Sequence, residues 1–247
     1  RRVAHLNPRL PRLASAFRVH VSEIDCCVVS DTPLVDVADP PPGALEARIG
    51  KHVAGLVRDG DTLQFGIGSV PLSLAAALSG HRRLRFHGGM LPAAFRSLWE
   101  ADAMDRDAPV TTGVVLGDAA LRDFAATLPR LELADVTRTH DPARLVEVPR
   151  FVAVNSAVEV DLFGQVNAER ASGGIQAGAG GLPAFAQGAL ASPGGRLVIA
   201  LPATARGGSV SRIVPVLGSQ ALVTLPRQLA DAVVTEHGVA ELRERSL

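Results

Sequence analysis

Two glycine-rich turns stand where a backbone can hold an anion. Gln64-Phe-Gly-Ile-Gly-Ser-Val-Pro71 reads as a strand, a Gly66-Ile67-Gly68 turn and a helix start. Glycines let the main chain approach a ligand, and the free N–H groups of a helix's first turn favour an anion or a developing oxyanion. A dinucleotide fingerprint needs a third glycine near Pro71 or Leu72, and there is none. Taken alone, the segment reads equally well as an ordinary strand-to-helix turn. Gly178-Ala-Gly180-Gly181 precedes a second helix and carries the same two readings, amide cluster or flexible loop.

Side chains add three further signals. Glu159 and Asp161 alternate with Val158, Val160 and Leu162, so they share one strand face. Two carboxylates so placed can do acid/base work, but a solvated or capped polar face is the commoner outcome. Arg206, in Leu201-Pro-Ala-Thr-Ala-Arg-Gly-Gly-Ser209, sits among hydroxyls and glycines that suit a phosphate, or is a surface residue. Glu236, in Val233-Val-Thr-Glu-His-Gly238, stands at a strand end, where α/β proteins place functional groups, or caps a following helix. The seven histidines show no ligand spacing, and no Ser, His and acid constellation follows from spacing, so no metal is expected. Cys26 and Cys27 are adjacent and alone, which fits a reducing compartment better than a disulfide framework.

The elements that must position these groups alternate. Leu45, Ile49, Val53 and Leu56 recur at helical spacing, with Gly60 placed to end the helix. Strands follow at Thr62–Phe65, Leu84–His87 and Thr111–Leu116, with helices at Val70–Leu78, Ala93–Ala101 and Ala119–Leu128 between and after them. That alternation predicts an α/β fold, a mostly parallel sheet flanked by helices. Beyond Arg150 the pattern predicts a strand pair over Phe151–Val166 turning near Phe163-Gly164, and a helix over Pro183–Leu190. Strands at Leu197–Leu201, Val210–Val216, Ala221–Leu225 and Ala232–Thr235 come next, then a closing helix from Val239. His20–Val29 reads as one or two short strands, and Asp39-Pro-Pro-Pro-Gly43 as a linker.

At 247 residues, 47% hydrophobic, the chain can bury a large core, and no apolar run approaches the roughly 18 residues of a membrane span. A formal net charge of zero gives no reason to expect nucleic acid or an anionic membrane as partner. Arg1–Pro11 lacks the apolar core of a signal peptide, and a cytoplasmic location is expected.

Taken in order, these segments resemble the second half of the acetyl-CoA hydrolase/CoA-transferase family, which includes 4-hydroxybutyrate CoA-transferase-like enzymes. The resemblance runs from about Val3 to the end, and is most specific at Asn155–Asn167, Gly178–Gly181, Pro202–Pro215 and Val234–Gly238. It implies a CoA-transferase-like fold, with residues 1–43 as the tail and linker of an N-terminal domain and residues 44–247 as the C-terminal domain. Coenzyme A is implied as a substrate rather than a fixed cofactor. Acyl-CoA, a small carboxylate, the family's N-terminal domain and a second copy of the chain are the implied partners.

In that family a glutamate attacks the thioester and carries CoA, while backbone N–H groups hold the oxyanion. By resemblance those groups come from Gly66, Ile67 and Gly68 and from Gly178, Gly180 and Gly181, with Arg206 toward the CoA phosphates. The glutamate lies in a segment that usually reads His-Thr-Glu-Met; the matching stretch here is His87-Gly88-Gly89-Met90, which puts Gly89 at the nucleophile's position. His140 replaces a usual Asn, and Glu236 matches a family carboxylate near the substrate. The expected catalytic groups are therefore His87, His140 and Glu236. The activities to weigh are CoA transfer and acyl-CoA hydrolysis by activated water, against a non-catalytic CoA-binding subunit.

Overall fold

A computed structural model describes residues 1–13 and 18–243. Its frame is an eight-stranded sheet. From one edge to the other the strands are Gly238–Glu241, Ala232–Thr235, Arg196–Ala200, Phe151–Asn155, Thr62–Phe65, Arg85–His87, Val110–Thr112 and Leu131–Leu133. All neighbours are parallel except the hairpin formed by Ala232–Thr235 and Gly238–Glu241. The central strands read as unbroken apolar runs, Phe151-Val-Ala-Val and Leu197-Val-Ile-Ala, because both faces of a parallel sheet are covered.

Helices Ala44–Ala54, Ser69–Ala77, Ala93–Glu100 and Ala119–Thr127 supply one core, built around Leu63, Phe65, Phe86 and Phe95. Helix Leu182–Ala191 and the short helix Pro142–Leu145 supply the other, around Phe151, Phe185, Leu197 and Ile199. The first two helices cross closely. A Cβ on Gly50 would lie 2.6 Å from the main-chain carbon of Ser73, so glycine is required for the approach. That contact fixes the helix that starts directly after the Gly66–Gly68 turn.

The α/β class and the parallel sheet are as expected, and several local readings are corrected. No helix closes the described chain: Gly238–Glu241 is an antiparallel strand, in register Val234↔Val239. A tight turn at Glu236-His237, followed by Gly238 at φ 149°, folds the chain back onto the sheet edge, and ladder hydrogen bonds outweigh the apolar spacing. Ala221–Leu225 is not a strand. Only Leu225 bridges, against Val166, with the N–H groups of Thr224 and Leu225 both donating to the Val166 carbonyl. Val210–Val216 divides into two short pieces, Val210–Ser211 and Ile213–Val214. The strand expected over Thr111–Leu116 likewise divides, into Val110–Thr112 and Val114–Val115. The first helix stops at Gly55, and Gly60, at φ 77°, serves the turn into the next strand instead. The Phe163-Gly164 turn joins Glu159–Asp161 to Val166–Asn167 in a separate small sheet, while Phe151–Asn155 enters the main one.

Outside the main sheet, Val3–Leu6 pairs in parallel with Cys26–Val29, and Val21–Glu23 between them forms a 3₁₀ turn. Both strands are largely exposed, with Val29 74% accessible and Val35 on the following linker 85% accessible. No helix among the described residues is long and apolar enough to cross a membrane.

Gly50→Ala should destabilise the protein by about 1–3 kcal/mol, because overpacking against main chain outweighs alanine's helix preference. Ser73→Ala should be neutral or stabilising, since the Ser73 hydroxyl is buried without a partner. Urea denaturation of both variants measures the contrast.

Candidate active site

The chain builds its sheet outward from Thr62–Phe65 to Leu131–Leu133, then returns to lay Phe151–Asn155 on the other side of its first strand and builds outward again. The reversal falls between Thr62–Phe65 and Phe151–Asn155. In open α/β sheets, ligands bind at the carboxyl ends of the strands at such a point. A cleft of about 250 Å³ opens there, lined by Gln64, Gly66, Gly89, His140, Asn155, Gly178–Leu182 and Phe185, among others. Gln64 and Asn155 lie near the carboxyl ends of the two central strands, and the Asn155 amide donates to Gln64 Oε1 at 2.8 Å, tying the floor together.

His140 forms one wall. It joins two one-turn helices, Val136–Thr139 and Pro142–Leu145, capped by Asp135 and Asp141. Asp135 accepts from Thr137 N–H at 2.9 Å and Asp141 from Ala143 N–H at 3.0 Å, so the turn carrying His140 is pinned from both sides. The imidazole stacks on Phe185, ring centroids 4.6 Å apart. It also lies against both glycine segments. A Cβ on Gly89 would come within 2.7 Å of His140 Cε1, and a Cβ on Gly181 would collide with Nε2. Only glycine at both positions lets the ring sit where it does.

One hydroxyl bears on the ring's tautomer. The Thr139 hydroxyl lies 3.1 Å from the Asp135 carbonyl and 2.7 Å from His140 Nδ1. Where the hydroxyl donates to the Asp135 carbonyl, the Thr139 oxygen accepts from Nδ1–H. In that tautomer Nε2 is a bare lone pair beside Gly181. Burial also holds the His140 pKa below 6.5, which favours the neutral ring. The N–H groups of Gly180 and Gly181 have no acceptor among the described residues, whereas that of Gly66 continues the ladder toward the Val154 carbonyl.

The other expected residues are distributed differently. Gly68 donates its N–H to Asp39 Oδ1 at 2.7 Å, so that amide is engaged by the linker, and Ile67 is exposed. His87 does not line the cleft. It is buried behind it, with Nε2–H donating to the Thr139 carbonyl at 3.1 Å. Glu236 is two strands away from the central pair, accepting from Ala203 N–H at 2.8 Å. Burial opposes its charge, but that bond, its own N–H, and nearby His237 and Arg48 outweigh burial and hold the carboxyl below 4.5. Glu159 accepts from Asn167, and Asp161 gathers the N–H groups of Phe163, Gln165 and Leu217, so both organise loops.

Arg206 belongs to a second cleft, of about 680 Å³, beyond the Arg170–Ile175 hairpin. Arg206 is exposed and bonds Ser172 Oγ at 2.9 Å, while Arg212 in the same cleft is engaged by the carbonyls of Ala157 and Val158. Among the described residues no group of three His, Cys, Asp or Glu side chains could hold a metal ion. Phe185 and Thr139 carry no sequence signal of a site role; the Asp-x-Thr and Asp-Pro caps around His140 were the available one.

Residues 117–247 match the family model of the acetyl-CoA hydrolase/transferase C-terminal domain. The chain belongs to that family. It is 35% identical, over 99% of its length, to 58% of the 4-hydroxybutyrate coenzyme A transferase of Clostridium kluyveri. It is 35% identical, over 98% of its length, to 56% of the succinyl-CoA:cyclohexane-1-carboxylate CoA transferase of Geobacter metallireducens. In structure, 99% of it overlays 59% of the 4-hydroxybutyrate CoA-transferase of Porphyromonas gingivalis at a TM-score of 0.85 and 33% identity. It overlays 57% of RipA from Yersinia pestis at 0.89 and 28%, again over 99% of this chain. The chain thus spans somewhat over half the length of the relatives it matches.

Burial lowers the His87 pKa below 6.5, against the Thr139 hydrogen bond and with His140 and Arg138 acting the same way as burial; Glu132 opposes. A histidine whose folded pKa is depressed stabilises fully above 6.5, and that stability is lost as pH falls toward the folded value. His140, lowered as well, adds in the same direction. Urea midpoints should therefore fall between about pH 7.5 and 5.5, and fall less in His87→Gln.

Proposed function

We infer that the chain is the acyl-CoA-binding half of an enzyme that hydrolyses CoA thioesters, with His140 as general base. The observation that carries this reading is the cleft itself, whose lining contains His140 and free glycine amides but no carboxylate. Glutamyl transfer of CoA needs a carboxylate to form the acyl anhydride and then the CoA thioester. With Gly89 at that position, the nearest group able to take a proton is His140 Nε2. A water beside Nε2 loses its proton to the ring as its oxygen attacks the thioester carbon. The oxyanion that develops is met by N–H groups at Gly180 or Gly181. Collapse breaks the C–S bond, and the imidazolium returns its proton to the leaving thiolate. The products are a carboxylic acid and free CoA.

The CoA nucleotide fits toward Arg206, across the Arg170–Ile175 hairpin, where an exposed guanidinium borders a wide cleft. The exposed strand pair in residues 1–43 fits the tail of an N-terminal domain, the share of the relatives that this chain does not span. The same vacancy at Gly89 also supports a second reading, a CoA-binding subunit without catalysis.

Incubating the intact protein with acetyl-CoA, with and without a small carboxylate, separates these readings. Free thiol without transfer supports hydrolysis. Transfer with a CoA adduct on a carboxylate overturns it. CoA binding without either reaction supports the subunit. His140→Ala should lower hydrolysis by about 10²–10⁴-fold while acyl-CoA still binds. The acid limb of the rate should lie below pH 6.5, because burial depresses the His140 pKa; His87 is its ionisable neighbour.

Gly89→Glu alone should not create a CoA carrier, because its Cβ meets the imidazole. Gly89→Glu with His140→Asn should open that space and give a detectable glutamyl-CoA adduct by mass spectrometry. The transfer rate should be small, since nothing has been shaped to hold the new side chain's rotamer.

A further inference from the structure

We propose that His87 is a positioning residue that fixes both the spacing of the cleft walls and the tautomer of His140, acting through Thr139. The inference rests on the reading of His140 as the base.

His87 ends the Arg85–His87 strand and stands two residues before Gly89. Its Nε2–H donates to the carbonyl of Thr139, which is followed directly by His140. One hydrogen bond therefore spans from the chain segment carrying one wall of the cleft to the segment carrying the other. The ring of His140 lies against Gly89 so closely that a shift of a few tenths of an ångström in either segment would close or loosen the contact. Thr139 is itself 1% exposed, and its two functional groups are divided between the histidines: the carbonyl takes His87 Nε2–H, and the hydroxyl meets His140 Nδ1 at 2.7 Å.

The arrangement is directional. Thr139 can accept from His140 only while its hydroxyl proton points to the Asp135 carbonyl, 3.1 Å away. Holding the Thr139 main chain in place keeps that geometry. His87 is suited to this because it is buried, edge-on to Phe151 with centroids 6.0 Å apart, and so remains a neutral donor. A simple core histidine could fill this space equally well, but it would need no defined donor toward Thr139. That difference is testable.

Gln and Asn discriminate. The Gln amide nitrogen reaches the position of imidazole Nε2, whereas the Asn nitrogen corresponds to Nδ1 and falls short of the carbonyl. Both are polar and similarly accommodated. Ring ¹⁵N spectra of the intact protein labelled at histidine report the His140 tautomer without requiring any activity. Wild type and His87→Gln should show His140 protonated at Nδ1, with Nε2 bare. His87→Asn should show a mixture of tautomers. Its kcat for acyl-CoA hydrolysis should drop by about 10–100-fold, the scale of a misplaced catalytic group, with KM changed less than about twofold. Equal spectra and equal kcat in the two variants would overturn the proposal. So would wild-type His140 protonated at Nε2, a result that needs no variant to fold. If the tautomer contrast is present but no thioester is hydrolysed, the positioning role stands and the hydrolase reading fails.

Discussion

The contact of the His140 imidazole with two glycines is the constraint on which the cleft depends. Gly89 and Gly181 come from opposite halves of the sheet's topology, one after the Arg85–His87 strand and the other before helix Leu182–Ala191. A ring wedged between them joins those halves at the switch point. It also decides the chemistry, because the volume that a side chain at residue 89 would use is filled by imidazole. A side chain at residue 89 and the imidazole of His140 thus compete for one volume. The free amides at Gly180 and Gly181 are compatible with either occupant, since an oxyanion is held in the same way whichever group attacks.

The polar groups around the cleft divide by what burial lets them do. Asp161 and Glu236 are buried yet stay ionised, because main-chain N–H groups point at them. They act as fixed anchors for loops. His87 and His140 are pushed toward neutrality by burial. Only the second has an unshared nitrogen on the cleft. Carboxylates that are fully hydrogen-bonded to backbone are poor bases, so their nearness in sequence to family motifs says little about catalysis.

Much of the fold was legible in the sequence. Thr62–Phe65 lies where its apolar run and following glycine turn put it, and the helix Ala93–Glu100 agrees to within one residue. Period and punctuation suffice where an element is long and bounded by glycine or proline. They failed at the end of the chain, where Val239 and its neighbours carry helical spacing but lie beside an open sheet edge. Tertiary hydrogen bonding made that choice, and no local propensity reports it. The site was legible only in pieces. The glycine segments and His140 could be named, yet their meeting depends on a strand crossover of more than sixty residues, and the separation of Glu236 and His87 from the cleft is a matter of three-dimensional placement. Thr139 and Phe185 have ordinary sequence surroundings and acquire a role only through what they touch.

The Asp39 carboxylate on the Gly68 amide has a consequence for how the linker and the site communicate. The bond joins the proline-rich segment before the domain to the first turn of helix Ser69–Ala77, the place where an incoming anion would also be drawn. An anion that takes the Gly68 N–H must first release Asp39, and with it the path of the linker. The two equilibria are then linked reciprocally: whatever factor by which the linker's fixed orientation weakens the anion is the factor by which the anion frees the linker. Competition for one amide in this way makes the path of the linker and the occupancy of the turn two readings of a single equilibrium.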